Sequence, residues 1–178
     1  SEEILRDLAD TQTPQGIVAV IQKEEEGLPD FSQGKFLFLE DVQDPGNVGT
    51  MIRTADAAGF TGVIVSDKSA DIYSLKTLRS MQGSHFHLPI YRMSLVTFIA
   101  EAKKSDLPIL ATTLSRESKD YRELSSLVNF VLVMGNEGQG ISSVMAESAD
   151  QLVHIGMKGR AESLNVAVAA GILMFYFS

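Results

Sequence analysis

From Lys35 onward, short apolar runs alternate with longer amphipathic stretches, and this rhythm constrains the fold more than any other feature of the chain. The runs at 36–40, 62–66, 87–91, 109–113, 130–134 and 152–155 are bounded by Gly, Pro, Asp or Ser. Several are continuous and rich in β-branched residues, as in strands covered on both faces. Between or after them, residues 48–58, 74–82, 95–105, 142–147 and 163–177 carry helical patterns. Strands that alternate with helices give an α/β domain with a mostly parallel sheet. The last helix is apolar nearly all round, from Val166 through Phe175. Such a helix has to be covered on more than one side, by its own core or by a second subunit.

The 178 residues suit one domain with a substantial core. Residues 24–33 are polar, include Gly27 and Pro29, and read as a loop or linker. The segment ahead of them is amphipathic from Ser1, as though the chain starts partway through something. No cysteine is present, which excludes disulfides, thiolate metal sites and cysteine nucleophiles. Neither His85 nor His87 sits in a metal-ligand spacing, so no metal is expected. No signal-peptide pattern opens the chain and its longest apolar run, 166–177, is too short to span a bilayer, so a cytoplasmic protein without a membrane segment is expected. The formal charge of −8 argues against nonspecific nucleic-acid binding over the whole surface.

Three stretches concentrate chemistry. Asp44-Pro45-Gly46-Asn47-Val48-Gly49-Thr50-Met51-Ile52-Arg53 follows the first strand. Pro45 and Gly46 suit a tight turn, and Asn47 can cap the next helix. Arg53 then falls about one and a half turns in, near the strand's carboxyl end where open sheets hold ligands; a capped helix with a surface Arg is the plainer account. Gly135-Asn136-Glu137-Gly138-Gln139-Gly140 places three glycines in six residues after an apolar strand. It is either a flexible turn or a loop whose amides approach a ligand. It is neither a P-loop nor a dinucleotide fingerprint, and Glu137 has no evident structural need there. In Ile155-Gly156-Met157-Lys158-Gly159-Arg160-Ala161-Glu162-Ser163-Leu164-Asn165, Ser163 is a plausible N-cap. Asn165 opens an apolar helix, so a buried amide in need of partners is expected, as a structural fixture or a site residue.

In this order the three stretches resemble the motifs of the SpoU (TrmH-like) family of SPOUT methyltransferases: N-x-G-x-x-x-R, G-N-E-G-x-G and M-x-G-x-x-x-S-L-N-V-A-V-A. The likeness runs from about Phe36 to the end. It implies an RNA ribose 2′-O-methyltransferase acting on tRNA or rRNA with S-adenosylmethionine, a C-terminal deep trefoil knot, and a homodimer joined through the last helix and the helix after the first motif. It also implies that Gly135, Ile155, Leu164, Thr112 and Met157 contact the cofactor. Arg53, Glu137, Ser163 and Asn165 would be the catalytic and substrate-positioning set, supported by Asn47. Residues 13–20 resemble the tail of a separate RNA-binding domain, which makes 1–34 that tail plus a linker and 35–178 the catalytic domain. One departure is visible: Gly156 stands where the family commonly has Pro.

Arg53, Lys158 and Arg160, extended by Lys76, Arg79 and Arg92, are the candidate basic patch for RNA. A non-catalytic RNA-binding or dimerisation relative is the rival reading, which the joint presence of Arg53, Glu137, Ser163 and Asn165 disfavours. A dehydrogenase lacks its glycine fingerprint and acidic ribose-binding residue.

Overall fold

A computed structural model describes residues 4–5, 16–22, 27–125 and 127–178. Residues 13–15 of the tail-like segment and 24–26 of the linker therefore lie outside the described residues. One seven-stranded sheet organises the rest: β1 Lys35–Leu39, β2 Gly62–Val65, β3 Ile90–Arg92, β4 Ile109–Thr112, β5 Lys119–Asp120, β6 Phe130–Met134 and β7 Gln151–His154. The spatial order is β3-β2-β1-β6-β4-β7-β5, and all its pairings are parallel. Helices α1 Pro45–Ala57, α2 Leu75–Met81, α3 Leu95–Lys104, α4 Ser143–Ser148 and α5 Val166–Phe177 flank it.

The strands bury both faces because successive side chains point to opposite sides. Leu37, Leu39, Val63, Val65, Leu132 and Met134 face α1, α2 and α5, sharing a core with Met51, Ile52, Met81, Leu173 and Phe177. Phe36, Phe38, Ile64, Ile109, Val131 and Val133 face α3 and α4, where Phe98 stacks on Phe38 with ring centroids 4.0 Å apart. Two strands are inserted out of chain order: β6 sits between β1 and β4, and β7 between β4 and β5. This brings the loops after β1, β6 and β7 to the same end of a parallel sheet.

Four elements differ from the sequence reading. The strand expected at 87–91 is Ile90–Arg92, because residues 84–86 close into a 3₁₀ turn behind Gly83, whose φ is +90°. The short edge strand β5 was not expected, since Lys119 and Asp120 carry no apolar signal. Helix α1 begins at Pro45 because Asp44, not Asn47, is its cap: Asp44 Oδ1 accepts from the Asn47 amide at 2.9 Å. Helix α5 begins at Val166 with Asn165 as its cap in place of Ser163; Asn165 Oδ1 accepts from the amides of Ala167 and Val168 at 2.9 and 3.3 Å. Asn165 is exposed in the single chain, against the burial expected for it. One side of α5 is also open, with Val168, Ile172, Phe175 and Tyr176 all exposed.

Candidate active site

The glycine-rich loop starts where β6 ends. A Cβ at Gly135 would meet the Gly140 carbonyl oxygen at 2.6 Å, so only glycine lets the loop close on itself. The closure is held by the Asn136 amide donating to Gly140 O at 3.0 Å and the Gly140 amide donating to Asn136 O at 2.9 Å. Gly140 supplies a φ of +71°, a conformation that side chains disfavour. Asn136 secures the turn from inside: its Oδ1 accepts from the amides of Gly138 and Gln139, and its Nδ2 donates to Asp41 O at 2.8 Å. Below the loop, the buried Glu40 carboxylate accepts from the Ser142 amide at 3.1 Å, joining the end of β1 to the cap of α4. Burial raises the Glu40 carboxyl above its usual value, and the Ser142 hydrogen bonds oppose that rise.

Glu137 answers the structural question its sequence position posed. Its Oε1 accepts from the Asp44 amide and from Asn47 Nδ2, each at 3.1 Å, and its Oε2 accepts from the Gln43 amide at 3.2 Å. Partial burial pushes this carboxyl up, but the hydrogen bonds from Asn47 and the backbone outweigh it and hold the group below its ordinary value. Asn47 Oδ1 in turn accepts from Asn165 Nδ2 at 3.1 Å. A chain of side-chain hydrogen bonds, Glu137 to Asn47 to Asn165, thus ties one residue from each of the three motifs together.

Beside this chain lies a cavity of about 430 Å³, within the usual range for small-molecule sites. Thr112, Gly135, Glu137, Ile155, Met157, Ser163 and Leu164 line it together with Met134, Val153 and Leu173. All five expected cofactor contacts are therefore brought to one place. Thr112 Oγ1 is committed to Val133 O at 2.9 Å, which pins β4 to β6 at the cavity's edge. No Lys or Arg is among the lining residues, and Glu137 is the only acidic side chain there. A mixture of apolar walls and loop backbone without a cation suits a nucleoside carrying a positively charged sulfonium. By that test the residues fit S-adenosylmethionine. Among the described residues no group of His, Asp and Glu could hold a metal ion.

Arg53 is not brought to the cavity of its own chain. With α1 starting at Pro45, Arg53 sits more than two turns in, roughly 12 Å along the axis from the helix start at about 1.5 Å per residue. It is exposed, and its side chain has no hydrogen bond or ion pair among the described residues. Its neighbour Thr54 lies at the seam between α1 and α5, where a Cβ on Gly171 would stand 3.7 Å from Thr54 Cγ2. Of the expected basic patch, Arg53, Lys158 and Arg160 are exposed, while Arg92 and Lys76 have partners within the chain. Arg92 donates to the carbonyls of Ser66, Asp67 and Ala70, and Lys76 pairs with Asp44 at 2.7 Å.

His154 lines the cavity although the sequence reading passed it over. Its Nδ1 is 3.0 Å from Ser118 Oγ. The available signal was its place at the end of an apolar run, one residue before Ile155.

Comparisons with known proteins agree with this geometry. The SpoU rRNA Methylase family model matches residues 34–175. The chain is 44% identical over 176 residues to the 23S rRNA (guanosine(2553)-2′-O)-methyltransferase RlmP of Bacillus subtilis, covering 99% of this chain and 70% of that protein. An AdoMet-bound rRNA methyltransferase from Sinorhizobium meliloti superposes with a TM-score of 0.90 at 36% identity, over 98% of this chain and 68% of the other. The SpoU methyltransferase AviRb of Streptomyces viridochromogenes, solved with AdoMet, gives 0.71 at 33% identity over 83% and 57%. With the three motifs joined beside one cavity and the family model spanning the whole sheet, this chain belongs to the SpoU rRNA methylase family.

Proposed function

We propose that the chain is the catalytic domain of an S-adenosylmethionine-dependent RNA ribose 2′-O-methyltransferase, with rRNA as the first substrate to test and tRNA as the other class. The observation that carries this reading is the convergence of Gly135, Ile155, Met157 and Leu164 on a cavity without Lys or Arg that Glu137 and Ser163 also line. S-adenosylmethionine supplies an electrophilic methyl group. The chain's part is to hold that donor and to manage the proton of a weakly acidic hydroxyl. Positioning dominates such an in-line displacement.

Glu137, with both oxygens engaged by Gln43, Asp44 and Asn47, positions the loop instead of serving as a free base. Ser163 offers an exposed hydroxyl at the cavity for ribose or phosphate. Asn47 and Asn165 set the spacing between the loop and α5. A guanidinium does not give up its proton, so the role of Arg53 is to clamp the adjacent phosphate and stabilise the developing alkoxide, while the hydroxyl proton leaves to phosphate or water as the methyl is transferred.

The open apolar side of α5 supports a homodimer built on α5 and α1, in which Arg53 serves the partner's cavity. The out-of-order insertion of β6 and β7 supports a knotted C-terminal third. An RNA substrate, with no helix among the described residues long and apolar enough to cross a membrane, points to work in the cytoplasm.

Transfer of labelled methyl from S-adenosylmethionine to rRNA, followed by mapping of 2′-O-methyl positions, tests the activity. Absence of both transfer and S-adenosylhomocysteine binding would overturn it. Mixed dimers of R53A and E137A protomers test the trans arrangement: one intact site per mixed dimer restores part of the activity, whereas a cis arrangement restores none.

A further inference from the structure

The loop between β7 and α5 carries Ile155, Met157, Ser163 and Leu164 to the cavity, yet its first residues have no regular structure of their own. What steadies them comes from the sheet edge. Strand β5 is only Lys119–Asp120, and its register sets Asp120 beside His154, the last residue of β7. The Asp120 carboxylate accepts from Arg122 Nε and Nη2, both at 2.8 Å, and from the Arg122 amide at 3.1 Å. Its side chain is 15% exposed. The Arg122 side chain, then its backbone amide, and last the Gly156 amide, hold the Asp120 carboxyl far below the usual carboxylate range. A Cβ at Gly156 would stand 2.8 Å from Asp120 Oδ2 and 3.8 Å from Arg122 Nη2. Gly156 does not occupy the left-handed region, so backbone strain does not account for the glycine. Close approach of the carboxylate does.

We propose that Asp120, held in place by Arg122, is a positioning residue that seats against Gly156 and fixes the Ile155–Met157 backbone for binding of the methyl donor. This rests on the methyltransferase reading above. A two-residue strand with no apolar signal thereby acquires a purpose: it delivers one carboxylate to the loop that borders the cofactor cavity. Arg122 acts one step back, since a free Asp120 could swing aside whereas a bidentate pair is geometrically fixed.

The test measures S-adenosylhomocysteine affinity by calorimetry, and KM and kcat with S-adenosylmethionine, on the full chain. G156A forces a methyl into the carboxylate, and we expect donor affinity to fall about tenfold, with KM rising and kcat changing little. D120A should weaken binding by a similar factor, and D120N, which keeps the shape and an acceptor, should recover part of it. The decisive variant is D120A/G156A: with the carboxylate gone the added methyl meets no obstacle, so the double variant should bind no worse than D120A alone. Thermal unfolding of each variant separates a fold defect from a positioning defect. Unchanged affinity in G156A, or additive losses in the double variant, would overturn the inference while leaving the methyltransferase reading intact. A wild-type chain that binds no S-adenosylhomocysteine would remove that reading and this one with it.

Discussion

At the scale of single residues, the three motifs meet through amide and carboxylate hydrogen bonds: Asn47 links Asn165 to Glu137, and the glycine-rich loop's share of the link is Glu137. Replacing it with Gln keeps the size but turns one oxygen into a donor facing the amides of Gln43 and Asp44 or the Asn47 side chain. Hydrogen bonds to charged groups are worth about 1.5–3 kcal/mol when buried, but Glu137 is exposed in the single chain, which brings the loss down to about 1 kcal/mol. E137Q should therefore lower Tm by roughly 2–4 °C in a domain of this size and reduce donor affinity as the loop loosens. The pH dependence has a definite sign. The folded carboxyl lies below its ordinary value, so its stabilising contribution is fully present above the unfolded pKa of about 4.3–4.5. It fades as pH falls through the lower folded value. The difference between wild type and E137Q in urea denaturation should be constant from pH 5 to 8 and shrink on acidification below about pH 4. A difference that grows on acidification would show that the carboxylate is not held by these donors.

At the scale of elements, two contacts position α1, one at its flank and one at its start. Gly49 packs against α2 so closely that a Cβ would lie 2.5 Å from Ser80 Cβ and 2.6 Å from Thr77 O. Overpacking of this kind costs about 1–3 kcal/mol, so G49A should drop Tm by roughly 2–12 °C, measurable by calorimetry. The other contact is Asn165, which caps α5 while donating to Asn47 at the start of α1. N165A removes the cap, at a cost of about 1 kcal/mol or 2–4 °C in Tm, and should weaken donor binding as well because α5 and the cavity loop lose their common anchor. The same elements show what the sequence made legible. Core strands such as Phe130–Met134 announced themselves through continuous apolar runs; of the three glycines in the 135–140 loop, Gly135 is required by close backbone approach and Gly140 by its positive φ. Their convergence on one cavity came from the motif resemblance, not from periodicity. Helix starts were misread by a few residues because Asp44 and Asn47, or Ser163 and Asn165, are chemically equivalent caps on paper. Only the tertiary partner decides between them: Asn47 is taken by Glu137 and Asn165, which leaves Asp44 for the helix. Strand β5 was illegible because its placement depends on pairing with β7 and on nothing in its own two residues.

At the scale of the whole molecule, the chain leaves Arg53 and an apolar helix face both exposed, and the proposed homodimer would account for both. Helix α5 packs on α1 along one side, yet Val168, Phe175 and Tyr176 remain between 44% and 57% exposed, and Arg53 lies one residue from that seam. Covering this face with a second copy would bury the apolar side chains and carry Arg53 toward the other cavity. We expect the wild-type chain to sediment as a dimer at micromolar concentration. I172E places a carboxylate in the proposed interface, where an unpaired buried charge costs several kcal/mol, and should sediment as a monomer. Ile172 does not line the cavity, so the monomer should bind S-adenosylhomocysteine within a few-fold of wild type while methyl transfer to RNA falls by orders of magnitude. RNA affinity should weaken too, since a chain of net charge −8 whose Lys76 and Arg92 are engaged by its own residues has few cations to spare for phosphate. A monomeric I172E that still transfers methyl groups at the wild-type rate would place the whole active site within one chain, and the guanidinium that serves it would have to be something other than the partner's copy of Arg53.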